Sequence, residues 1–246
     1  MIEQDAHGCT TNDQVTWSWA GLIRGMRSMI PLALGGLTDG IVWGVLAHQA
    51  GLSLIEVLLM SGLVYAGSAQ FLAITLWSIP LAAGSILPII VTTLIVNLRY
   101  LLLGAALRPW FARLHPMRTY LSLFFMSDEN WALTMREFME GRRDTAFFLG
   151  GGLLLFVAWV GSTVIGKMVG LAISDPVQWG LDFVFTAVFL TLLVGMWKGK
   201  SDLLPWAVAA IVAVGAARLL PGSWYILLGG LAGSLVGAIK SDKHVK

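Results

Sequence analysis

A small, polar break interrupts a long apolar segment near residue 65 and supplies the first candidates for chemistry. Between Val64 and Phe71, the hydrogen-bonding groups and the uncovered backbone belong to Tyr65, Gly67, Ser68 and Gln70. In lipid every backbone polar group must be satisfied internally, so a helix weakened here needs neighbouring protein or an aqueous cavity. Broken membrane helices often bind substrate, whereas small residues also let two helices pack closely. The stretch predicts a substrate site, with a packing seam as the alternative.

Polar and charged residues inside other apolar segments extend this list. Asn97 and Arg99 follow a run of threonine, leucine, isoleucine and valine, and Asp128 and Glu129 interrupt a later segment. A charge at the centre of a membrane helix costs about 2.5 to 3.5 kcal/mol unless it is paired or lies in a wet cavity. Arg99 is suited to a substrate carboxylate, and Asp128 or Glu129 to an ammonium group. A structural ion pair between Arg99 and one of these carboxylates explains the same residues.

Four carboxylates are candidates for carrying a proton. A carboxylate in a low-dielectric site can have its pKa raised towards neutrality. Asp39 lies inside the first long apolar segment, and Asp182 opens a later one. Asp128 and Glu129 complete the set. For Asp182, a helix N-terminal position favoured by the helix dipole is the simpler interpretation.

Signatures of other chemistry are weak. The four histidines have no metal-like spacing, and the single cysteine, Cys9, stands in a polar tail, so we expect neither a metal nor a cofactor. The stretch from Gly195 to Ser201 resembles a phosphate-binding loop but is one residue short and follows an apolar segment. A net charge of +2 gives no reason to expect nucleic acid. Ser68 leaves an intramembrane hydrolase open if His48 approaches it in space.

The elements that carry these residues are long apolar helices. The chain is 57% hydrophobic with a mean hydropathy of +0.78, and 12% of its residues are charged, about half the usual share. These values predict an all-α fold, a polytopic transmembrane helical bundle of about eight spans with broken helices near the midplane. Residues 119–138 either cross as a broken helix or dip in and return, so seven spans remain possible. The predicted spans lie near residues 29–47, 54–79, 81–107, 119–138, 146–172, 181–197, 203–220 and 224–239.

Local signals refine this outline. Ser53 and Glu56 form a capping-box pattern that starts the second span, and Pro31 stands at the predicted start of the first. Lys167 is expected to extend towards the membrane interface. Glycines recur every four residues and form faces for internal packing, a partner helix or a second copy of the chain. They are Gly36, Gly40 and Gly44 in the first span, and Gly229, Gly233 and Gly237 in the last.

The predicted organisation is simple. Residues 1–15 form a disordered polar tail, residues 16–240 a single transmembrane transporter domain, and residues 241–246 a basic cytoplasmic tail. With eight spans and a cytoplasmic N-terminus, most lysines and arginines lie on the cytoplasmic side.

Four motifs carry a resemblance to a known family. They are Tyr65 to Phe71, Val96 to Tyr100, Ser127 to Glu129 and Gly180 to Phe183, and the first is preceded by Gly44 to Ala47 and Ala50 to Glu56. Together they resemble the AzlC family, the large subunit of bacterial branched-chain amino acid exporters. The resemblance covers roughly residues 20–240. Tyr100 and Ser127 stand where the family often has histidine and threonine.

The resemblance implies a multi-pass exporter of valine, leucine and isoleucine in the bacterial plasma membrane, with methionine as a further candidate. It also implies a small hydrophobic partner of the AzlD type. We predict a secondary transporter driven by the proton gradient, with its site formed by the residues named above. The alternatives are a structural or regulatory membrane subunit and an intramembrane enzyme. A homo-oligomer is left open.

Overall fold

A computed structural model of the chain describes residues 15–77, 83–172, 203–220 and 224–242, with isolated residues between 190 and 200. Nearly all of these residues are helical, and the described part contains no strand beyond one isolated bridge between Thr16 and Asp144. The predicted all-α class is confirmed. The predicted tail up to residue 14, most of the sixth span with Asp182, and residues 243–246 lie outside the described part. The helices are α1 (Trp19–Gln49), α2 (Leu54–Leu59), a π-helix (Met60–Val64), α3 (Gly67–Thr75), α4 (Ala83–Phe111), α5 (Pro116–Phe124), α6 (Asp128–Met139), α7 (Ala146–Ala172), α8 (Leu203–Leu219) and α9 (Trp224–Asp242).

Three described helices are long and apolar enough to cross a membrane. They are α1, residues 86–111 of α4, and α7. A crossing needs about 20 residues at 1.5 Å each. α5 and α6 have 9 and 12 residues, so neither crosses alone, and residues 125–127 separate them. The transmembrane bundle is confirmed, and the ambiguous stretch 119–138 is two short helices.

The predicted bounds hold for α7 and are wrong for α1. α7 begins and ends at the predicted residues. α1 begins at Trp19, ten residues before the predicted start at Met29, so Pro31 lies inside the helix rather than in its first turn. A proline there lacks the N–H that would bond the carbonyl four residues earlier. The apolar residues from Trp19 onward therefore belong to the same helix as the predicted first span.

The chain divides into two compact units. The first comprises residues 1–34 and 100–157, and the second comprises residues 35–99 and 158–246. In the first unit, Leu107, Phe111, Phe138 and Phe148 form a buried core. The ring of Phe111 meets that of Phe148 edge to face, with centroids 5.4 Å apart, and this pair joins the end of α4 to α7.

Three consecutive glycines let α7 approach its neighbours within the first unit. A methyl group on Gly150 would overlap the backbone of Leu22, and one on Gly152 would lie 2.6 Å from the carbonyl oxygen of Phe125. Asn130 lies against Gly151 and donates from Nδ2 to the carbonyls of Phe125 (3.3 Å) and Phe148 (3.0 Å). The glycine triplet therefore leaves room for the start of α6 to pack against α7, and the bonds of Asn130 hold it there.

Glycines also bring helices together in the second unit. A methyl group on Gly40 or Gly44 of α1 would overlap Ser162 or Thr163 of α7, and one on Gly166 would overlap Ile41. In the same unit Gly229 and Gly233 of α9 pack against Ala213 and Ala209 of α8. Four glycines of the two predicted faces therefore pack against other helices of the same chain: Gly40, Gly44, Gly229 and Gly233.

Candidate functional site

The break in the second span is confirmed. The Ser53 hydroxyl accepts a bond from the backbone N–H of Glu56, and the Glu56 carboxylate accepts one from that of Ser53, which completes the predicted capping box. After only six α-helical residues the backbone widens into the π-helix, and Tyr65 turns left-handed with φ 39° and ψ 47°. A left-handed residue other than glycine costs about 1 to 2 kcal/mol, so surrounding contacts must hold this turn.

Gln70 spans the break and fixes its two sides. Its side chain is fully buried, and Nε2 donates to the carbonyl oxygen of Met60 at 2.6 Å. Its Oε1 accepts a bond from Nε1 of Trp159 on α7 at 3.1 Å. Both ends of the amide are therefore engaged. We call this chain of contacts, Trp159 to Gln70 to Met60, the Gln70 brace.

Trp159 of α7 contacts the break, but the sequence interpretation did not include it among the site residues. The fifth span was treated as plainly apolar, although tryptophan in membrane helices concentrates at the interfaces rather than mid-span. A Cβ atom on Gly67 would lie 2.9 Å from Cη2 of the Trp159 indole. Gly67 thus permits the ring to cover the backbone at the break, which answers the predicted need for neighbouring protein.

Arg99 and Ser68 come together, as the combined motifs predicted. Nη2 of Arg99 donates to the Ser68 hydroxyl at 2.8 Å. The buried polar atoms of this unit for which the described residues supply no hydrogen-bond partner include Oδ1 of Asn97 and Oγ of Ser61, which lies in the π-helix. The Arg99 guanidinium is therefore tied to the break, and buried acceptors lie on α4 and on the π-helix.

The same contacts argue against a hydrolase. Activation of Ser68 needs a general base, and a guanidinium in proteins stays protonated. His48, the base proposed from the sequence, instead has Nδ1 3.0 Å from Nζ of Lys167. Lys167 also donates to the carbonyl of Leu52, in the turn between α1 and α2, and its extension to the membrane interface stays a prediction.

The remaining predicted residues are distributed over the chain. Asp128 and Glu129 open α6 in the first unit, where the Ser127 side chain caps the helix, and their closeness to the break stays a prediction. Asp39 is partly buried within α1 of the second unit. Among the described residues, no group of histidine, cysteine, aspartate or glutamate side chains is placed to hold a metal ion.

Apolar helices with a polar break in one span define a polytopic membrane protein with a candidate ligand site inside the helical region. The family model described as AzlC protein matches residues 31–173, more than half of the chain, and the chain belongs to this family. The resemblance inferred from the four motifs is confirmed.

Several relatives match along most of their length. One is the "Branched-chain amino acid transport protein AzlC" of Bacillus subtilis strain 168, 29% identical over 86% of this chain and 84% of the relative. An uncharacterized membrane protein of Archaeoglobus fulgidus is 30% identical, with 89% and 93% covered. The "Inner membrane protein YgaZ" of Escherichia coli K12 is 27% identical, with 90% and 91% covered. No solved structure gives a significant match.

Proposed function

We propose that this protein is the membrane-embedded, substrate-translocating large subunit of a two-component exporter of branched-chain amino acids. It acts in the bacterial plasma membrane as a proton-driven secondary transporter, with its N-terminus in the cytoplasm. Family membership and the printed name of the Bacillus subtilis relative support the substrate class. The observation that carries the proposal is the break in the second span, where the Arg99 guanidinium is held by the Ser68 hydroxyl.

Arg99 is suited to exchange this hydroxyl for a substrate carboxylate. Ser68 is a neutral acceptor that takes one guanidinium N–H, whereas a carboxylate carries a negative charge and can accept two N–H bonds in parallel. The contact of 2.8 Å between Arg99 and Ser68 thus engages Nη2 of the guanidinium when no substrate is bound. An arriving carboxylate replaces a weaker partner, and Ser68 regains Arg99 when the substrate leaves.

The substrate ammonium needs acceptors on the other side of the site. Asp128 or Glu129 supplies a negative charge, as expected from the family motif. Oδ1 of Asn97 and Oγ of Ser61 are buried acceptors with no hydrogen-bond partner among the described residues, which suits them to share this role. In such a site Tyr65 and Gly67 shape the backbone, and the Gln70 brace keeps it open.

The apolar surroundings set a broad substrate range. A hydrophobic pocket discriminates by only about 1 to 3 kcal/mol between side chains that differ by one methylene. Valine, leucine, isoleucine and methionine are therefore overlapping substrates. Proton coupling is assigned to one or more of Asp39, Asp128, Glu129 and Asp182, and assembly with a small AzlD-type subunit completes the transporter.

The test is efflux of labelled valine from proteoliposomes under an imposed pH gradient, with and without the small subunit. We expect gradient-driven efflux that requires both subunits. Arg99→Ala should reduce the rate by at least about tenfold, the equivalent of one lost charge-assisted bond. Arg108→Ala, which removes an exposed arginine from the same helix, is the matched control and should leave the rate unchanged.

Two results would contradict the proposal. Undiminished efflux by Arg99→Ala would remove Arg99 from the site. Absence of valine movement by the wild-type pair under either gradient direction would reject the transport assignment. Efflux by the small subunit alone would instead favour the structural or regulatory role for this chain.

A further inference from the structure

A second cluster of titratable groups lies where α1 ends and α2 begins. His48 is in the last turn of α1, and Nζ of Lys167 on α7 lies 3.0 Å from its Nδ1. The same ammonium donates to the carbonyl oxygen of Leu52, a nearly fully buried residue in the turn at residues 50–53. One side chain of α7 therefore holds both the end of α1 and the turn that leads into α2.

The backbone around the pair is packed too closely for this contact to be incidental. A Cβ atom on Gly170 would lie 2.7 Å from Cβ of His48, and one on Gly44 would lie 2.7 Å from the backbone nitrogen of Lys167. The glycines bring α1 and α7 together on both sides of the pair. Within this seam the side chain of Lys167 is the element that reaches the turn.

The charges that act on the pair are few among the described residues. Lys167 on α7 acts on His48, and Glu56 in the first turn of α2 attracts Lys167. Glu56 is itself bound to Ser53 in the capping box. The cluster thus holds an imidazole, an ammonium group and a carboxylate, from the three helices that meet at the turn.

We propose that Lys167 and His48 form a proton-operated latch that holds the turn at residues 50–53 against α7 and releases it on acidification. A neutral imidazole accepts the ammonium N–H through Nδ1. A protonated imidazole carries a proton on both nitrogens and a positive charge, so it repels Lys167 and offers no acceptor. The repelled ammonium then leaves both His48 and the adjacent Leu52 carbonyl, and the turn that leads into the broken span loses its tie to α7.

The proposal is independent of the substrate. Imidazole has an ordinary pKa of about 6.5, so its charge changes in the range that bacterial membranes face. Release of the turn is a conformational event that can be measured without transport. A failure of the valine assay would leave the latch standing, and a failure of the latch would leave the substrate assignment standing.

The test uses a cysteine reporter in the turn. Cys9 is the only cysteine, so Cys9→Ser with Ala50→Cys gives one thiol, and its maleimide labelling rate in membrane vesicles reports exposure. His48→Asn in the same background is the matched control, because the asparagine oxygen can accept from Lys167 near the Nδ1 position and does not titrate. The labelling ratio is the rate of the reporter protein with His48 divided by the rate of the His48→Asn protein, and taking it cancels the pH dependence of the thiol.

We expect the labelling ratio to stay near one at about pH 7.5 and to rise at least about threefold by about pH 4.5, two units below the ordinary imidazole pKa, because the neighbouring Lys167 ammonium opposes protonation of His48. A ratio that stays flat would overturn the latch. For Lys167→Met, the labelling rate divided by that of His48→Asn should be raised at both pH values, and a wild-type pH response in that variant would also overturn the latch. If Lys167→Met fails to fold, the His48→Asn comparison decides alone.

Discussion

The Gln70 brace can be tested by a double-mutant cycle on Gln70 and Trp159. Gln70→Leu keeps the apolar volume and removes both side-chain bonds, which leaves the Trp159 N–H without its partner and removes one bond from the Met60 carbonyl. Trp159→Phe keeps an aromatic ring beside Gly67 and removes one bond. In the double variant the Trp159 N–H is absent, and the Met60 carbonyl alone has lost a bond.

The geometry sets the expected magnitudes. A buried polar group left without a partner costs about 1 to 3 kcal/mol and a lost hydrogen bond about 0.5 to 1.5 kcal/mol, so the orphaned Trp159 N–H and the lost Met60 bond in Gln70→Leu cost about 1.5 to 4.5 kcal/mol together. Interhelical hydrogen bonds measured by such cycles average about 0.6 kcal/mol and reach about 1.7. We therefore expect Gln70→Leu to lose about 2 to 3 kcal/mol and Trp159→Phe about 1 kcal/mol. The double variant should lose less than the sum, by about 0.6 to 1.7 kcal/mol.

The assay is the free energy of unfolding of each purified variant in mixed micelles titrated with denaturing detergent. All four proteins are compared at one pH and one lipid composition. A coupling energy within error of zero would refute the bond between Gln70 and Trp159. Full retention of stability by Gln70→Leu would refute the brace as a whole, since the left-handed turn would then need no support from this side chain.

Three further predictions concern packing, capping and charge. Gly166→Ala should abolish the yield of folded monomer in size-exclusion chromatography, because the new methyl group overlaps the backbone of Ile41. Gly161→Ala on the same helix is the control: its methyl group meets nothing within 4 Å, so this variant should behave as wild type. Ser53→Ala should lower unfolding stability by about 1 kcal/mol, and Ser53→Thr, which keeps the cap, should restore most of it in the same titration. Hydrogen bonds from neighbouring arginines lower the pKa of Glu140 from its ordinary 4.5, so its stabilising effect is present above that pH and is lost as pH falls through the lowered value. The difference in melting temperature between wild type and Glu140→Gln should therefore vanish in acid and in high salt, and a persistent difference would contradict the ion pairs.

Local signals in the sequence were sufficient for much of the fold. Sustained hydrophobicity identified α7 to the residue, and the pattern of Ser53 and Glu56 located the start of α2. The run of small and polar residues after Val64 located the break. Each of these features depends on interactions within a few residues of the chain, so their energies can be read from neighbouring side chains.

The same locality explains the errors. Proline favours the start of a helix, so Pro31 predicts one there, yet the apolar residues before it continue the helix. The sequence also gives no sign of the bonds of Lys167, because its partners, His48 and Leu52, lie more than 100 residues away in the chain. Trp159 was overlooked because nothing near it in sequence marks a bond to Gln70.

The sequence by itself determined that this chain is an all-helical membrane protein of the AzlC family, with a weak point in its second span and an arginine motif in its third. The tertiary structure decided which groups meet: Ser68 with Arg99, Gln70 with Trp159, and Lys167 with His48. Hydrophobic burial and helix capping act along a single segment, whereas these contacts require segments 31 to 119 residues apart to approach within hydrogen-bond distance. For the two contacts with α7, that approach depends on Gly67, Gly44 and Gly170, whose missing side chains leave room for the partner helix, so it is a property of the packed molecule rather than of any one stretch.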